Sequence, residues 1–283
     1  MKQHHSTFPV MKMAAVLQVS ASGYYRWQKR KPAKRREETQ RLDIEICNIY
    51  RSNKGRCGSP KITRELREGR HWLVGHNRVA GRMRAMGLRS IVRRKYRVTT
   101  NSKHSFPIAE NLLNRQFDVN APNKVWASDI TYIRMGKCWL YLAVFIDLFS
   151  RTIVGWSLSE SLDHSFVIQA LWRAVLRRRP PKGLMIHSDR GIQYCCEGFR
   201  RAVAQFGFIQ SMSRKGNCWD NAVAESFFHL LKTELIYPEN LKTKEEIEKA
   251  VFEYIEIYFN RQRRHSSIEY KTPEEFERLA NVA

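Results

Sequence analysis

Between Asn123 and Leu158 three runs rich in β-branched and aromatic residues follow one another so closely that their connection is decided. Val125 to Ile133, Trp139 to Ile146 and Thr152 to Leu158 are separated only by turn material at Gly136-Lys137 and Ser150-Arg151. A parallel crossover needs roughly a dozen residues or more, so gaps this short dictate an antiparallel meander. Downstream the texture alternates. An amphipathic helix is expected from about Phe166 to Leu176, an apolar strand from Leu184 to Ser188 and a helix near Glu197 to Phe206. A short strand at Phe208-Ile209 and a helix from about Ala222 to Leu235 complete the series. Three antiparallel strands followed by alternating helices and strands make a layered α/β domain with a mixed five-stranded sheet.

Ahead of this domain the pattern is all-α. Residues 9–30 read as helix, turn, helix, with a turn through Val19-Ser20 and Ser22 as the N-cap before Tyr24, Tyr25 and Trp27. A basic polar linker, Lys29 to Gln40, follows. Ser59-Pro60 has the form of an N-cap followed by proline in the first helical position. The partner helix runs from about Asn77 to Met86 and stops at Gly87. Val79, Met83 and Met86 share one face, with Arg78 and Arg82 beside it, the layout of a helix-turn-helix whose second helix turns arginines toward a DNA groove. Arg93, Arg94 and Lys95 then form a basic run suited to phosphates.

Charge points the same way. The chain carries 50 basic and 27 acidic side chains, and residues 1–120 hold 27 of the former but only 8 of the latter. A front segment this basic calls for a polyanionic partner, and nucleic acid is the leading one. The longest apolar run, Cys138 to Ile146, falls short of the roughly 20 residues that span a bilayer. No secretion signal precedes it, so a cytoplasmic protein without a membrane partner is expected. The six cysteines contain no C-x-x-C pair, which argues against a zinc ribbon or a disulfide framework.

In so basic a chain the acids at the sheet edge need a reason. Asp129 falls within the first strand and Asp189 at the carboxyl end of the fourth, the edge where open α/β sheets gather ligands. On the helix after Asp220-Asn221, Phe227, Leu230 and Leu231 cluster on one side while Glu225, His229 and Lys232 form a polar stripe on the other. Converging carboxylates repel, and the remedies are a raised pKa or a bound cation. Hard oxygen ligands favour Mg²⁺ or Mn²⁺, and a pair of such ions roughly 3.5–4 Å apart can serve both the attacking and the leaving oxygen of a phosphodiester. Asp147 is a fourth acid that could face the same edge but reads as a turn residue outside the triad, Asp220 with Asn221 reads as the helix cap, and His187 reads as a structural histidine, with an approach to the metal region as the alternative. Arg214 and Lys215, in the Ser213-to-Asn217 loop, suit a clamp on DNA.

These residues carry a resemblance. Asp189 and Glu225 are separated by 35 residues, and with Asp129 upstream they resemble the D,D(35)E arrangement of retroviral integrases and insertion-sequence transposases. The blocks NKVWASDITYI, WLYLAVFIDLFSRTIVGWS, HSDRGIQY, SRKGNCWDNAVAESFFHLLKTEL and YFNRQRRHSSIEYKTPEEF look like the successive blocks of OrfB-type transposases. FPVMKMAAVLQVSASGYYRW and GSPKITRELR are similar to that family's helix-turn-helix region. The resemblance implies a ribonuclease H-like integrase core, with Asp129, Asp189 and Glu225 as catalytic and metal-holding acids. It implies Mg²⁺ or Mn²⁺ as two ions, DNA cleavage and strand transfer, a homo-oligomer on DNA and an upstream OrfA-type partner or fusion. The His-His-Cys-Cys zinc module of retroviral integrases is not matched by His4, His5, Cys47 and Cys57, so no zinc is expected.

The expected organisation is an N-terminal helical segment and basic linker over 1–40, a helix-turn-helix region over 41–120, an integrase core over 121–240 and a helical extension over 241–283. The extension opens on the capping box Thr243-x-x-Glu246, and a second capping pattern begins at Thr272. Between them Arg261, Arg263 and Arg264 form a basic cluster offered to DNA. Two other activities remain compatible with the same residues: a nuclease that only hydrolyses, and a DNA-binding regulator without chemistry.

Overall fold

The computed structural model describes residues 1–29, 34–91, 106–214, 218–239 and 241–280. The chain divides into two compact units, Met1–Arg89 and Ser90–Ala283.

The first unit is all-helical: α1 (Val10–Val16), α2 (Ala21–Gln28), α3 (Lys34–Ser52), α4 (Ser59–Glu68) and α5 (His76–Ala85). Leu42, Ile46 and Ile49 lie on one stripe of α3 and close a small core with Ile62 and Leu66 of α4 and Val79 and Met83 of α5. Most of the expected linker from Lys29 to Gln40 is therefore helix. Between Pro32 and Gln40 no glycine or proline intervenes, and the run from Arg35 to Arg41 is rich in strong helix formers. Two caps also move. Ser20, not Ser22, accepts the Gly23 amide at the start of α2. Gly58 caps α4, so Ser59 and Pro60 already lie inside the helix, and the Ser59 hydroxyl instead meets His76 Nε2 at 2.9 Å.

The second unit is built on a five-stranded sheet in the order β3-β2-β1-β4-β5. β1 (Val125–Met135), β2 (Cys138–Asp147) and β3 (Ile153–Ser159) form the antiparallel meander, and the first hairpin turns at Gly136, whose φ of 57° suits a residue without Cβ. β4 (Met185–Ser188) and β5 (Ile209–Met212) add in parallel, reached through α6 (Ser165–Arg178) and α8 (Glu197–Gln205). A short helix, α7 (Ile192–Cys195), intervenes without a periodic signal long enough to read in the sequence. Along β2, Leu140, Leu142, Val144 and Ile146 enter one core and Ala143 and Phe145 the other, so both faces of the sheet are covered.

On the first of these faces lies α9 (Ala222–Leu231), which runs into a π-helical stretch, Lys232–Ile236. α10 (Lys244–Phe252), opened by the expected capping box, continues into a second π-helical stretch, Glu253–Phe259, before α11 (Pro273–Ala280). Ile247, Val251, Tyr254, Ile255 and Phe259 share a core with Phe227 and Leu231 of α9. The stretch from α10 through Phe259 is thereby part of the wall behind α9. No described helix is long and apolar enough to cross a membrane.

Candidate active site

β1 and β4 pair in parallel at Val125 with Met185, Trp126 with Ile186 and Ala127 with His187. Continued two residues, that register sets Asp129 level with Asp189, where the ladder ends and the two backbones part. Asp129 lies on the strand face shared by Ala127 and Ile133, the face toward α9, and Glu225 stands in the first turn of that helix. Two strands and a helix thus deliver three acids to one sheet edge.

Their electrostatics show the convergence. Burial raises the Asp129 carboxyl well above the usual range, and the charges of Asp189 and Glu225 push it further. The Ile130 amide, donating to Asp129 Oδ1 at 2.8 Å, opposes that shift only in part. Glu225 is also raised, first by burial and then by Asp189. Asp189 is tied in place at Oδ1 by the Gly191 amide at 2.8 Å. Lys232, which the sequence showed only as the cation of the polar stripe, is near enough to Asp129 for each charge to favour the other. Burial lowers its ammonium pKa and Asp129 partly restores it.

Beneath the acids the packing is dense. Tyr194 is fully buried and shares a 2.8 Å hydrogen bond with Ser128, while Asn221 Nδ2 donates to the Ser128 carbonyl at 3.4 Å. His187 is fully buried, and burial lowers its pKa to about 4, so it is neutral. Its Nε2 meets the Asp220 carbonyl at 3.0 Å and its Nδ1 the Ser211 hydroxyl at 2.9 Å, which fixes the tautomer with the proton on Nε2. That makes it the structural histidine expected. Asp147 is buried away from the cluster, accepting the Asn123 and Phe149 amides at 2.8 and 2.9 Å, as a turn residue should.

Carboxylate oxygens are the donors that Mg²⁺ and Mn²⁺ take, and acids raised by burial and by neighbouring carboxylates are what a cation would relieve, so the donor set fits the expected metal. The three carboxylates stand apart from a closed coordination sphere: among the described residues no group of three His, Cys, Asp or Glu is close enough to hold an ion.

Residues 119–218 and 225–279 match two Integrase core domain families, and residues 36–96 match the HTH-like domain. The transposase InsF for insertion sequence IS3A of Escherichia coli (strain K12) is 39% identical over 278 residues, covering 98% of this chain and 96% of that protein. The chain belongs to this transposase family. A 31 kDa protein of insertion element IS600 from Shigella sonnei, 41% identical over 264 residues, covers 93% of this chain and 97% of its own length. Among solved structures, a chain of the simian T-cell lymphotropic virus intasome in complex with PP2A regulatory subunit B56 gamma aligns with a TM-score of 0.49 and 17% identity, over 82% of this chain and 74% of that one.

Within this IS3-type transposase the arginines expected on DNA have different fates. Arg263 is corrected: it is 6% exposed, and its guanidinium forks onto Glu234, with Nη2 to Oε1 at 2.8 Å and Nε to Oε2 at 3.0 Å. Tyr254 donates to the same carboxylate at 2.8 Å, so Arg263 is an interior partner of the first π-helical stretch and cannot reach a phosphate. Arg264 turns to the Tyr270 carbonyl at 3.0 Å, while Arg261 stays exposed beside Glu274. Arg78 pairs with Glu38 at 2.8 Å and Arg82 forks onto Asp43 at 2.6 and 2.7 Å, so both bind back to α3. Arg93, Arg94, Lys95 and Lys215 lie outside the described residues.

Asp220 is also corrected. Asn221 holds the N-cap position of α9 without a side-chain cap bond, and Asp220 is instead an acceptor for Asn111, Arg115 and Arg214. The sequence missed Asn111, Arg115 and Ser211 in this network, because their partners lie roughly a hundred residues away along the chain.

Proposed function

We propose that Asp129, Asp189 and Glu225 are the catalytic acids of this DNA transposase, and that together they hold divalent cations at the edge of the sheet. The observation that carries the reading is their gathering at a single edge: the charges of Asp189 and Glu225 add to burial in raising Asp129, and that of Asp189 adds to burial in raising Glu225. When bound, two such cations would lower the cost of charge on the attacking and leaving oxygens of a phosphodiester.

The chain's own residues set the geometry. Asp129 and Asp189 are fixed by strand register and by the amides of Ile130 and Gly191, so they form the rigid side of the site. Glu225 enters from α9, whose far end carries Lys232 back toward Asp129. The reaction is in-line displacement at phosphorus. A terminal 3′-hydroxyl oxygen of the element bonds to a target phosphorus and gives its proton to solvent, while the bond from that phosphorus to the target's own 3′-oxygen breaks and that oxygen takes a proton from solvent to leave as a 3′-hydroxyl. The overall count of phosphodiester bonds is unchanged, so no external energy source is needed. The helical unit Met1–Arg89 and the excess of positive charge before residue 121 support binding to DNA. A homo-oligomer that brings two element ends together, and an OrfA-type partner that helps recognise them, belong to the same proposal.

Joining on a branched oligonucleotide that mimics an integrated end, with Mg²⁺ or Mn²⁺, tests the reaction without requiring the natural ends. Metal-dependent rejoining of strands is expected. Cleavage to shorter products alone would replace the transposase reaction with hydrolysis, and a folded, DNA-binding protein inert even with its upstream partner would remove the chemistry altogether.

A further inference from the structure

Asp220 is 1% exposed, yet its carboxylate collects five hydrogen bonds. Asn111 Nδ2 and the Arg214 amide reach Oδ2 at 2.9 Å, and Arg115 Nε reaches Oδ1 at 2.9 Å. Arg214 adds Nε at 3.0 Å and Nη2 at 3.1 Å. Burial alone would raise this carboxyl, but the Arg214 and Arg115 hydrogen bonds overcome it and hold it far below the usual range, so the charge is permanent.

The backbone around it is equally fixed. The Asp220 carbonyl takes His187 Nε2, His187 Nδ1 takes the Ser211 hydroxyl, and that oxygen accepts the amides of Leu112 and Leu113 at 3.0 and 3.3 Å. The segment before β1, the end of β5 and the entry to α9 are joined through one residue, five positions before Glu225.

A structural rivet needs one cation on a buried carboxylate. Here there are two, and both remain open to solvent: the Arg115 side chain is 46% exposed and that of Arg214 is 49% exposed. One carboxylate cannot neutralise both, so the pair keeps a net positive charge. Among the described residues Arg115 engages Asp220 through Nε alone, and its Nη edge can take a second acceptor. Guanidiniums held flat by a buried acid are ordered before a ligand arrives, which lowers the entropic cost of binding.

We propose that Arg115 and Arg214, held side by side by Asp220, form a clamp for a DNA phosphodiester beside the catalytic helix. The proposal rests on the reading of Glu225 as a catalytic acid only for its purpose, which is to seat the strand near that acid. Neither Asn111 nor His187 touches the phosphate; they position the carboxylate that orients the arginines.

The test is the salt dependence of binding a branched oligonucleotide by the full chain in metal-free buffer, comparing wild type with Arg115→Ala/Arg214→Ala. Loss of one phosphate contact should reduce the slope of log K against log salt by about 1. A folded double variant with the wild-type slope would overturn the clamp and leave a rivet. If the double variant does not fold, Arg115→Gln keeps a donor for Asp220 while removing the charge; the slope should again fall, and an unchanged slope overturns the proposal. Because the measurement involves no chemistry, its outcome is independent of whether Glu225→Gln abolishes joining.

Discussion

Asp129 is where the cost of the site is concentrated. Its raised pKa means that the folded protein binds the proton more tightly than the unfolded chain. The stability linked to that proton is complete below the unfolded value of about 3.9 and is lost as pH rises through the folded pKa. Above that unfolded value and without metal, holding this carboxyl in the folded site therefore works against folding. Asp129→Asn should raise the melting temperature in chelator, by about 2–4 °C for each ~1 kcal/mol relieved. Mg²⁺ should stabilise the wild type and have a smaller effect on the variant; thermal melts at pH 7 with and without the ion check both statements. The opposite behaviour is expected at Arg263. Arg263→Ala leaves Glu234 charged in the interior and should cost about 3–5 kcal/mol in urea unfolding. Arg261→Ala, at an exposed pair, should cost less than about 1 kcal/mol. A well-tolerated Arg263→Ala would return that residue to the surface role its sequence suggested.

Elements differ in how far the sequence revealed them. The β1-β2-β3 meander was legible because its turns are too short for any other connection, and Asp129 within the first strand and Asp189 after the fourth could be placed because apolar runs mark those two strands. α7 was not, since four residues carry no period, and the start of α3 was hidden because a basic helix and a basic linker share a composition. The two π-helical stretches were equally invisible: Ile247, Val251, Ile255 and Tyr258, spaced as on one helical face, carry an apolar pattern across the second without a break. The two are joined by the contact of Glu234 in the first with Tyr254 in the second, and Arg263 also pairs with Glu234, contacts that no local signal announces. One close approach between elements gives a direct check. At Gly155 of β3 an added Cβ would meet the Ala170 carbonyl of α6 and lie 2.6 Å from Ala174 Cβ and 2.8 Å from Ala174 N. Gly155→Ala must push α6 off the sheet, and overpacking of this kind typically costs about 1–3 kcal/mol. A urea midpoint equal to wild type would show that β3 and α6 do not pack this closely.

Across the whole molecule the charge is divided by task. Basic residues dominate before residue 121, where binding to DNA is expected, and after it the balance is nearly even, 23 basic to 19 acidic residues. The C-terminal stretch joins the same core instead of standing apart, since Tyr254, Ile255 and Phe259 share a core with Phe227 and Leu231 of α9. The central claim is that three acids from separate elements act as one centre, and Glu225 is its most exacting member because it comes from the helix and not from the strand register. The measurement that decides it is strand joining on the branched oligonucleotide by Glu225→Gln at DNA occupancy matched to wild type. Joining should fall by a factor on the order of 10³ or more, equivalent to about 4 kcal/mol of lost transition-state stabilisation, while binding stays within a few-fold. Joining within a few-fold of wild type, or a loss of binding as large as the loss of joining in a folded protein, would contradict the assignment.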